Sequence, residues 1–333
     1  MQFDREDSSD DSPIALAIDL GGTWVRAALV TRAGLIAWRG RAPTGSQDPG
    51  DVIVGRVNDL IDEALSGEAA EQVAGIGIAV ASPVDPKTGI MYAPPNLMNL
   101  DGVSFKKIWS DKGRWPVITG NDATLAALGE YTYGAGMGSK TLVYITQSTG
   151  IGGGIVADGR LVEGAYGMAG EIGHMCIDAS GPLCKCGHRG CLESYASGTA
   201  IAEAARSLAQ TRNDSVLASM VDGDLGNLTS EHVFQAARRG DQVSRDLLDR
   251  VSQAMGVGLV NVLHLFNPDT IVMGGGVSQN WDYLRPMVEE YLQGNAMEHI
   301  RKLGYRIVVT SLGDDIGLLG AAAMVWAHSE GSP

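Results

Sequence analysis

Basic residues, cysteines and long apolar runs are all scarce in this chain of 333 residues. It carries 25 lysines and arginines against 39 aspartates and glutamates, and the net charge of −14 argues against nucleic acid or an anionic membrane surface as a main partner. No apolar run reaches the roughly 18 to 20 residues of a membrane span. Residues 1–13 are acidic and lack an apolar stretch, so they indicate a disordered tail rather than a signal peptide. With four cysteines and no export signal, we expect a cytoplasmic protein.

Glycine, by contrast, is abundant, and its 45 residues cluster in short runs without a collagen-like period. Strand, glycine turn and hairpin follow one another near residue 14 and again near residue 141, which indicates a weak internal duplication of architecture. A long apolar helix is predicted over 242–266, ended by Asn267-Pro268. We expect two α/β lobes, 14–122 and 123–333, with a cleft between them and a last helix that can pack back on the N-terminal lobe.

Three glycine turns follow predicted strands and indicate nucleotide binding. They occupy 19–23 (DLGGT), 148–154 (STGIGGG) and 274–276 (GGG). Glycine permits positive φ and a close backbone approach, so successive amides can face a phosphate. Asp19 can in addition hold a magnesium ion through water. Each turn alone also fits an ordinary hairpin, and the second and third match neither the lysine-containing P-loop nor a G-x-G-x-x-G that opens a helix.

Asn121 and Asp122 follow a short predicted strand and begin a predicted helix. One interpretation is a helix N-cap, a position that both residue types favour. The other places Asp122 in the cleft as a general base, accepting the proton of a hydroxyl that attacks a γ-phosphate. Both hold together if Asn121 caps or orients the helix while Asp122 does the chemistry.

All four cysteines lie within 171–193, EIGHMCIDASGPLCKCGHRGCLE. Three thiolates and one imidazole complete a tetrahedral zinc site and leave no open position for water, which predicts a structural metal. The predicted ligands are His174, Cys184, Cys186 and Cys191. His188 is an alternative fourth ligand, but its glycine neighbours indicate an exposed turn, and Cys176 is expected to be packed. Small core residues or a disulfide fit this spacing less well.

Two glutamates bracket this segment and are not needed for the metal. Glu171 precedes His174 by three positions, so one helical turn would place them on one face. Glu193 follows Cys191 by two positions and is tethered close to the metal. Carboxylates accept several hydrogen bonds in fixed directions, which suits sugar hydroxyls. The alternative is a pair of solvated surface glutamates.

Taken together, these motifs resemble the ROK family of bacterial sugar kinases and sugar-responsive repressors. The resemblance covers the chain from about Ile14 to Trp326 and depends on the joint presence and order of the motifs. The matching elements are DLGGT at 19–23, PVDPKTG at 83–89, PN at 95–96, GNDA at 120–123, STGIGGG at 148–154, EIGH at 171–174, C-x-C-G-x-x-G-C-x-E at 184–193 and GGGV at 274–277.

The resemblance implies an actin-like, hexokinase-like (ribonuclease H-like) α/β fold with a structural zinc site. It implies that Asp122 is the catalytic base. The implied sugar-binding residues are Asn96, Asn121, Asp122, Glu171, His174 and Glu193. The implied nucleotide-binding residues are Asp19, Gly21, Gly22, Thr23, Thr149 and Gly150 on the phosphate side, and Gly275 and Gly276 on the adenosine side. His174 would bind zinc through one ring nitrogen and face the sugar with the other. ATP, magnesium and a homodimer or homotetramer are implied as well.

We therefore expect an ATP-dependent kinase that phosphorylates the 6-hydroxyl of glucose or a close relative. Residues 81–83 and 97–100 depart from the commoner glucokinase pattern, so the first alternative is a kinase for an amino-hexose: glucosamine, kanosamine, N-acetylglucosamine or N-acetylmannosamine. A sugar-sensing repressor is disfavoured, because only 13 residues, an acidic segment, precede the first strand, too few for a helix-turn-helix. The exact sugar, and ATP or polyphosphate as donor, stay open.

Overall fold

The computed structural model describes residues 12–66, 68–110, 115–212 and 214–329. The predicted disordered tail therefore lies almost wholly outside the described residues. Contacts divide the chain into two compact units, each discontinuous in sequence. The first unit comprises Met1–Tyr133, Glu163–Ala169 and Leu312–Pro333, and the second Gly134–Val162 and Gly170–Ser311. In the part of the chain that is described, no helix has both the length and the apolar character that a membrane crossing needs.

The chain contains two runs of three consecutive strands, and helices separate the remaining strands. The strands are β1 (Ile14–Leu20), β2 (Trp24–Thr31), β3 (Ile36–Pro43), β4 (Val73–Val80), β5 (Val117–Asn121), β6 (Thr141–Gln147), β7 (Ile151–Ala157), β8 (Arg160–Leu161), β9 (Thr270–Gly274) and β10 (Arg306–Val309). The α-helices are α1 (Gly50–Ala64), α2 (Phe105–Ser110), α3 (Asp122–Tyr133), α4 (Glu193–Ala196), α5 (Gly198–Thr211), α6 (Ser230–Arg238), α7 (Gln242–Phe266), α8 (Trp281–Asn295), α9 (Glu298–Leu303) and α10 (Ile316–Ser329).

The first unit is built on a five-stranded sheet of order β3-β2-β1-β4-β5. β1, β2 and β3 form an antiparallel meander, whereas β4 and β5 run parallel to β1. β1 is buried almost throughout, and β3 alternates between half-buried and exposed residues, as expected for a central and an edge strand. Helix α1 packs on β2 and β3, and α10 packs on β1, β4 and α3.

Glycines let α10 lie unusually close to its neighbours. A Cβ atom added at Gly77 on β4 would lie 2.1 Å from the carbonyl oxygen of Ala321, and one added at Gly320 would lie 2.2 Å from that of Leu125. Only glycine allows this backbone-to-backbone packing. The prediction placed the lobe boundary at residue 122, whereas the first unit continues through α3 to Tyr133, because α3 packs against α10.

The second unit repeats the topology of the first. Its sheet has the order β10-β9-β6-β7-β8, in which β6, β7 and β8 form the meander and β9 and β10 run parallel to β6. The predicted duplication of architecture is therefore present in the sheets. Helix α7 has the predicted bounds: the Asp241 side chain accepts a hydrogen bond from Ser244 N (2.7 Å) at its start, and Asn267 ends it in the left-handed conformation with φ 44°.

Candidate functional site

The glycine turn of the first unit joins β1 to β2 and is fastened by the end of β3. Thr44 Oγ1 donates to the carbonyl oxygen of Gly21 (2.7 Å), and Thr44 N donates to that of Thr23 (2.9 Å). A Cβ atom added at Gly22 would lie 3.0 Å from Cβ of Asn96. The fold thus brings a predicted sugar-binding residue against a predicted phosphate-binding turn.

Asn121, rather than Asp122, caps helix α3. Its Oδ1 accepts hydrogen bonds from Thr124 N (3.1 Å) and Thr124 Oγ1 (3.3 Å), and its Nδ2 donates to the carbonyl oxygen of Ser82 (3.2 Å). The half-buried Asp122 follows at the first helical position, where its Oδ1 accepts from Ala123 N (2.8 Å). The hydrogen bonds thus assign the cap to Asn121, and the role of Asp122 as a base stays a prediction.

The buried Ser82 lies at the point where the sequence departs from the common glucokinase pattern. Its hydroxyl donates to the carbonyl oxygens of Pro83 (2.9 Å) and Tyr92 (3.3 Å), and its own carbonyl holds Asn121. The Ser82 side chain therefore shapes its loop and positions Asn121, with its proton directed at backbone oxygens.

In the second unit, the turn between β6 and β7 is fastened by Glu193. The Oε2 atom of Glu193 accepts a hydrogen bond from Ile151 N (2.8 Å), and a Cβ atom added at Gly150 would lie 2.5 Å from it. The turn is also tied to the start of α5, where Gly198 N donates to the carbonyl oxygen of Ser148 (2.7 Å). The sequence suggested only a sugar-binding role for Glu193, and the structure adds that it holds the glycine turn between β6 and β7.

The third glycine turn borders a cavity of about 320 Å³ within the second unit. Thr149 and Gly276, both predicted, line the cavity, whereas Gly275 has φ 85°, and a Cβ atom added there would lie 2.5 Å from the carbonyl oxygen of Gln147. Sequence reasoning missed the rest of the wall, which includes Gly198, Thr199, Arg206, Leu228, Thr229 and Ser230. These residues belong to α5, α6 and the loop between them, and no local motif marks them.

Arg206 holds one wall of this cavity in place. From helix α5, its Nε donates to the carbonyl oxygen of Leu225 (3.1 Å), and its Nη2 donates to those of Gly226 (3.4 Å) and Leu228 (2.8 Å). Three carbonyls of one loop thus converge on a single guanidinium, a geometry that its planar array of donors allows.

The predicted zinc ligands lie together. One ligand atom from each residue of the set lies within 4.8 Å of all the others, and the set is His174, Cys184, Cys186 and Cys191. Cys184 Sγ is 3.7 Å from His174 Nδ1, and Cys186 Sγ is 3.6 Å from Cys191 Sγ. Sulfur ligands ~2.3 Å from a tetrahedral zinc are themselves about 3.7 Å apart, so this group fits a zinc ion.

His174 directs its two ring nitrogens to different partners. Nδ1 faces the thiols, whereas Nε2 lies 4.0 Å from Oε2 of Glu171. The alternative ligand, His188, has Nδ1 3.7 Å from Cys186 Sγ but does not belong to the compact group of four. The arrangement favours His174 as the fourth ligand, with Nε2 left for hydrogen bonding.

Tight turns shape the cysteine segment. Cys184 N donates to the carbonyl oxygen of His188 (2.7 Å), and a Cβ atom added at Gly190 (φ 73°) would collide with the carbonyl oxygen of Asp178. The expectation that Cys176 is packed is wrong: its side chain is exposed and donates to the carbonyl oxygen of Arg189 (3.5 Å). Its backbone pairs with that of the predicted ligand Cys191, but Cys176 does not belong to the group of four.

The thiols ionise unequally without a metal. Burial, and then the neighbouring thiols, raise the pKa of Cys191 to about 12, and burial also raises the pKa of Cys184. The backbone N–H of His188, followed by its ring, lowers the pKa of Cys186 to about 6. Three thiolates in so small a space repel one another, and a divalent cation at the centre is what favours the fully ionised set.

Comparison with known proteins places these features in one family. The sequence model of the ROK family matches residues 15–328. A glucokinase of Halalkalibacterium halodurans is 36% identical over 93% of this chain and 94% of its own length. The crystal structure of a ROK hexokinase from Thermus thermophilus is 29% identical and covers 95% of this chain and 99% of its own, with a TM-score of 0.81. A ROK glucokinase from Streptomyces griseus, solved with glucose and AMPPNP, is 32% identical and covers 93% of this chain and 98% of its own, with a TM-score of 0.75. The chain belongs to the ROK family.

Proposed function

We propose that this protein is an ATP-dependent hexokinase that transfers the γ-phosphoryl group of ATP to the 6-hydroxyl of glucose. The observation that carries the proposal is the hydrogen bond between Glu193 and Ile151 N, because it joins the zinc-ligand segment directly to a phosphate-binding turn. One hydrogen bond would thus join the residues proposed to bind sugar to the turn proposed to bind phosphate. The similarity to a glucokinase solved with glucose and an ATP analogue supports the choice of both substrates.

In the proposed mechanism Asp122 is the general base. Its carboxylate lies at the first position of α3, which Asn121 caps, so its orientation is set by the helix and by the Ser82 carbonyl that holds Asn121. As the 6-oxygen attacks the γ-phosphorus, the hydroxyl proton passes to Asp122 and the bond to the β-phosphate oxygen breaks, which releases ADP. Asn96 and Asn121 would complete the sugar contacts of the first unit.

The sugar contacts of the second unit would come from Glu171, Glu193 and the Nε2 atom of His174. The carboxylates accept hydrogen bonds from sugar hydroxyls, and His174 donates from Nε2 when Nδ1 binds zinc. Zinc, held with Cys184, Cys186 and Cys191 as the other ligands, would supply folding free energy and rigidity to this segment rather than chemistry.

The nucleotide would lie along the glycine turns. In the first unit, Gly21, Gly22 and Thr23 would bind phosphate, beside Asp19. In the second unit, Thr149 and Gly150 would bind phosphate, and the cavity bordered by Gly276 would take the adenosine. Bound magnesium would neutralise charge on the phosphates, and the carboxylate of Asp19 is the oxygen donor that suits it. Gly275 would set the direction of its turn through its positive φ.

The cellular setting follows from the donor and the family resemblance. ATP as donor implies action in the cytoplasm, and the resemblance implies a homodimer or homotetramer. Light scattering coupled to size-exclusion chromatography measures the mass of the particle directly. A mass equal to one 34.9 kDa chain would contradict the oligomer.

A substrate panel with coupled detection of ADP tests the function. We expect glucose to give the highest kcat/KM, because the relatives similar over nearly the whole chain include glucokinases, one of them solved with glucose. A higher value for glucosamine, kanosamine, N-acetylglucosamine or N-acetylmannosamine would favour the amino-hexose alternative. Replacing ATP by polyphosphate, with detection of the sugar phosphate because this donor releases no ADP, decides the donor. ADP release that no hexose increases would overturn the proposal.

A further inference from the structure

We propose that Arg26 is a positioning residue that orients the Asp19 carboxylate toward the magnesium ion of the phosphoryl donor. The proposal concerns a residue outside every motif described above, and it rests on the proposed function. Arg26 lies on β2 directly opposite Asp19 on β1 in the antiparallel register. Directly opposed residues of an antiparallel pair present their side chains on the same face, so the pairing is built into the hairpin that carries the first glycine turn.

Arg26 donates to only one of the two oxygens of the Asp19 carboxylate. Its Nε donates to Oδ2 of Asp19 (3.1 Å), and its Nη2 makes a second, shorter contact with the same atom. In the part of the chain that the structure describes, no hydrogen-bond donor reaches Oδ1. The Asp19 side chain is 14% exposed, so Oδ1 is the oxygen available to a hard cation or to its bound water.

The carboxylate has little freedom to turn away from this orientation. On the side of α10, a Cβ atom added at Gly317 would lie 2.7 Å from Cγ of Asp19, 2.8 Å from Oδ2 and 3.0 Å from Oδ1. Real Cβ atoms essentially never adopt the first two distances, and the third is at the tight limit of real contacts. The Asp19 carboxylate is thus enclosed between the Arg26 guanidinium and the first turn of α10, and Gly317 is needed to leave room for it.

The guanidinium is itself fixed by a third contact. Its Nη1 donates to the carbonyl oxygen of Asp314 (2.8 Å), in the 3-10 turn Gly313–Asp315 that precedes α10. A planar guanidinium can reach this carbonyl and the carboxylate at once, whereas a lysine ammonium concentrates its charge at one point. Charge alone therefore does not reproduce the arrangement, and the shape of the side chain matters.

Arg39 offers a matched control. From β3 it reaches the same turn, where its Nη2 donates to Oδ2 of Asp315 (2.8 Å). Arg26 and Arg39 thus both tether the segment before α10, but only Arg26 contacts Asp19. If substitution of Arg26 has an effect that substitution of Arg39 lacks, that effect must come from the lost contact with the Asp19 carboxylate. It cannot come from the lost contact with the segment before α10, which both arginines make.

Calorimetric titration of the full chain with AMPPNP at increasing magnesium concentration tests the proposal without turnover. For R26Q we expect the magnesium concentration that half-saturates nucleotide binding to rise about tenfold, because a charge-assisted pair is lost. R26K should recover little of this loss. G317A, which displaces the Asp19 carboxylate without removing a charge, should raise the half-saturating magnesium concentration by a similar factor to R26Q. For R39Q the half-saturating magnesium concentration should stay within about twofold of the wild-type value, whereas its melting temperature should fall by about as much as that of R26Q.

Several outcomes would overturn the assignment. Equal magnesium dependence of R26Q and R39Q would mean that Arg26 acts only as a tether, and full rescue by R26K would mean that only its charge matters. Wild-type AMPPNP binding that is independent of magnesium would overturn the proposal whatever the kinase assay shows. Conversely, magnesium-dependent nucleotide binding that R26Q weakens, in a protein that phosphorylates no hexose, would support Arg26 and overturn the proposed function instead.

Discussion

The two units share a sheet topology, yet they hold their glycine turns by different means. In the first unit the turn after β1 is fastened by hydrogen bonds from Thr44, which follows β3, and Arg26 pairs with Asp19 beside the turn. In the second unit the turn after β6 is held by Glu193, which belongs to the cysteine segment. The shared topology supplies a tight turn at a strand end, and the surrounding segment decides its chemistry.

This difference suggests a division of labour. The first unit carries the proposed base and the proposed magnesium ligand, whereas the second carries the proposed zinc ligands, the two glutamates proposed to bind sugar and the cavity proposed to take adenosine. Substitutions in the first unit should therefore lower kcat most, and substitutions in the second should mainly raise KM or lower stability. The predictions below test this contrast.

The largest effect is expected at Asp122. Asp122→Asn keeps the shape of the side chain but removes the proton acceptor, so kcat should fall about 10³-fold while the glucose Kd changes by no more than about threefold. Steady-state kinetics and calorimetry measure the two quantities. Asp59→Asn, an exposed change on α1 that removes the same charge, is the control and should leave both unchanged. A kcat of Asp122→Asn near that of wild type would refute the base assignment.

The next largest effect is expected at the cysteines. Cys186→Ser should abolish zinc binding and lower the free energy of unfolding by about 3 kcal/mol or more. It should weaken glucose binding at the same time. Elemental analysis, thermal unfolding and calorimetry provide the measurements. Cys176→Ser, exposed and outside the ligand group, should retain about one zinc per chain and unfold like wild type. Unchanged stability and glucose affinity in the zinc-free protein would contradict a structural metal.

A pair of glutamate variants separates sugar reading from turn support. Glu193 contacts the phosphate turn through Ile151 N, whereas Glu171 contacts His174. We expect Glu193→Gln to raise the KM of both glucose and ATP about tenfold, and Glu171→Gln to raise only that of glucose. Initial rates at varied glucose and ATP give both constants. Identical profiles for the two variants would show that the Glu193 contact does not couple the sites.

The smallest effect is expected at Arg206. Arg206→Lys keeps the charge but cannot hold three carbonyls, so the KM for ATP should rise about threefold to tenfold while that for glucose stays constant. Arg212→Lys is the control, because Arg212 ends the same helix and pairs with exposed Asp214. If Arg206→Lys changed the KM for glucose instead of that for ATP, the loop that Arg206 holds would not contribute to nucleotide binding.

Local patterns in the sequence predicted the parts of the site that are local. The bounds of α7 follow from its apolar spacing and from the residues at its ends. The metal-ligand group follows from donor types clustered within a few positions, and Asn121 follows from the preference of helix caps. In each case the interacting atoms are separated by few residues, so composition and spacing contain the information.

Contacts between distant segments could not be predicted in this way. Arg26 and Asp314 are 288 positions apart, and no pattern near either residue indicates the other. The wall of the adenosine cavity combines α5, α6 and a loop, and the extent of the first unit depends on how α3 packs on α10. Cys176 is exposed although its backbone pairs with that of the buried Cys191, and spacing alone shows neither the pairing nor the exposure.

Phosphorus NMR of the products tests the central claim most directly. Wild-type protein with ATP, magnesium and glucose should form one glucose 6-phosphate for each ADP, whereas Asp122→Asn at the same concentration should form almost none. Release of free phosphate with ADP, or a phosphorylated sugar formed as fast by Asp122→Asn as by wild type, would contradict the account.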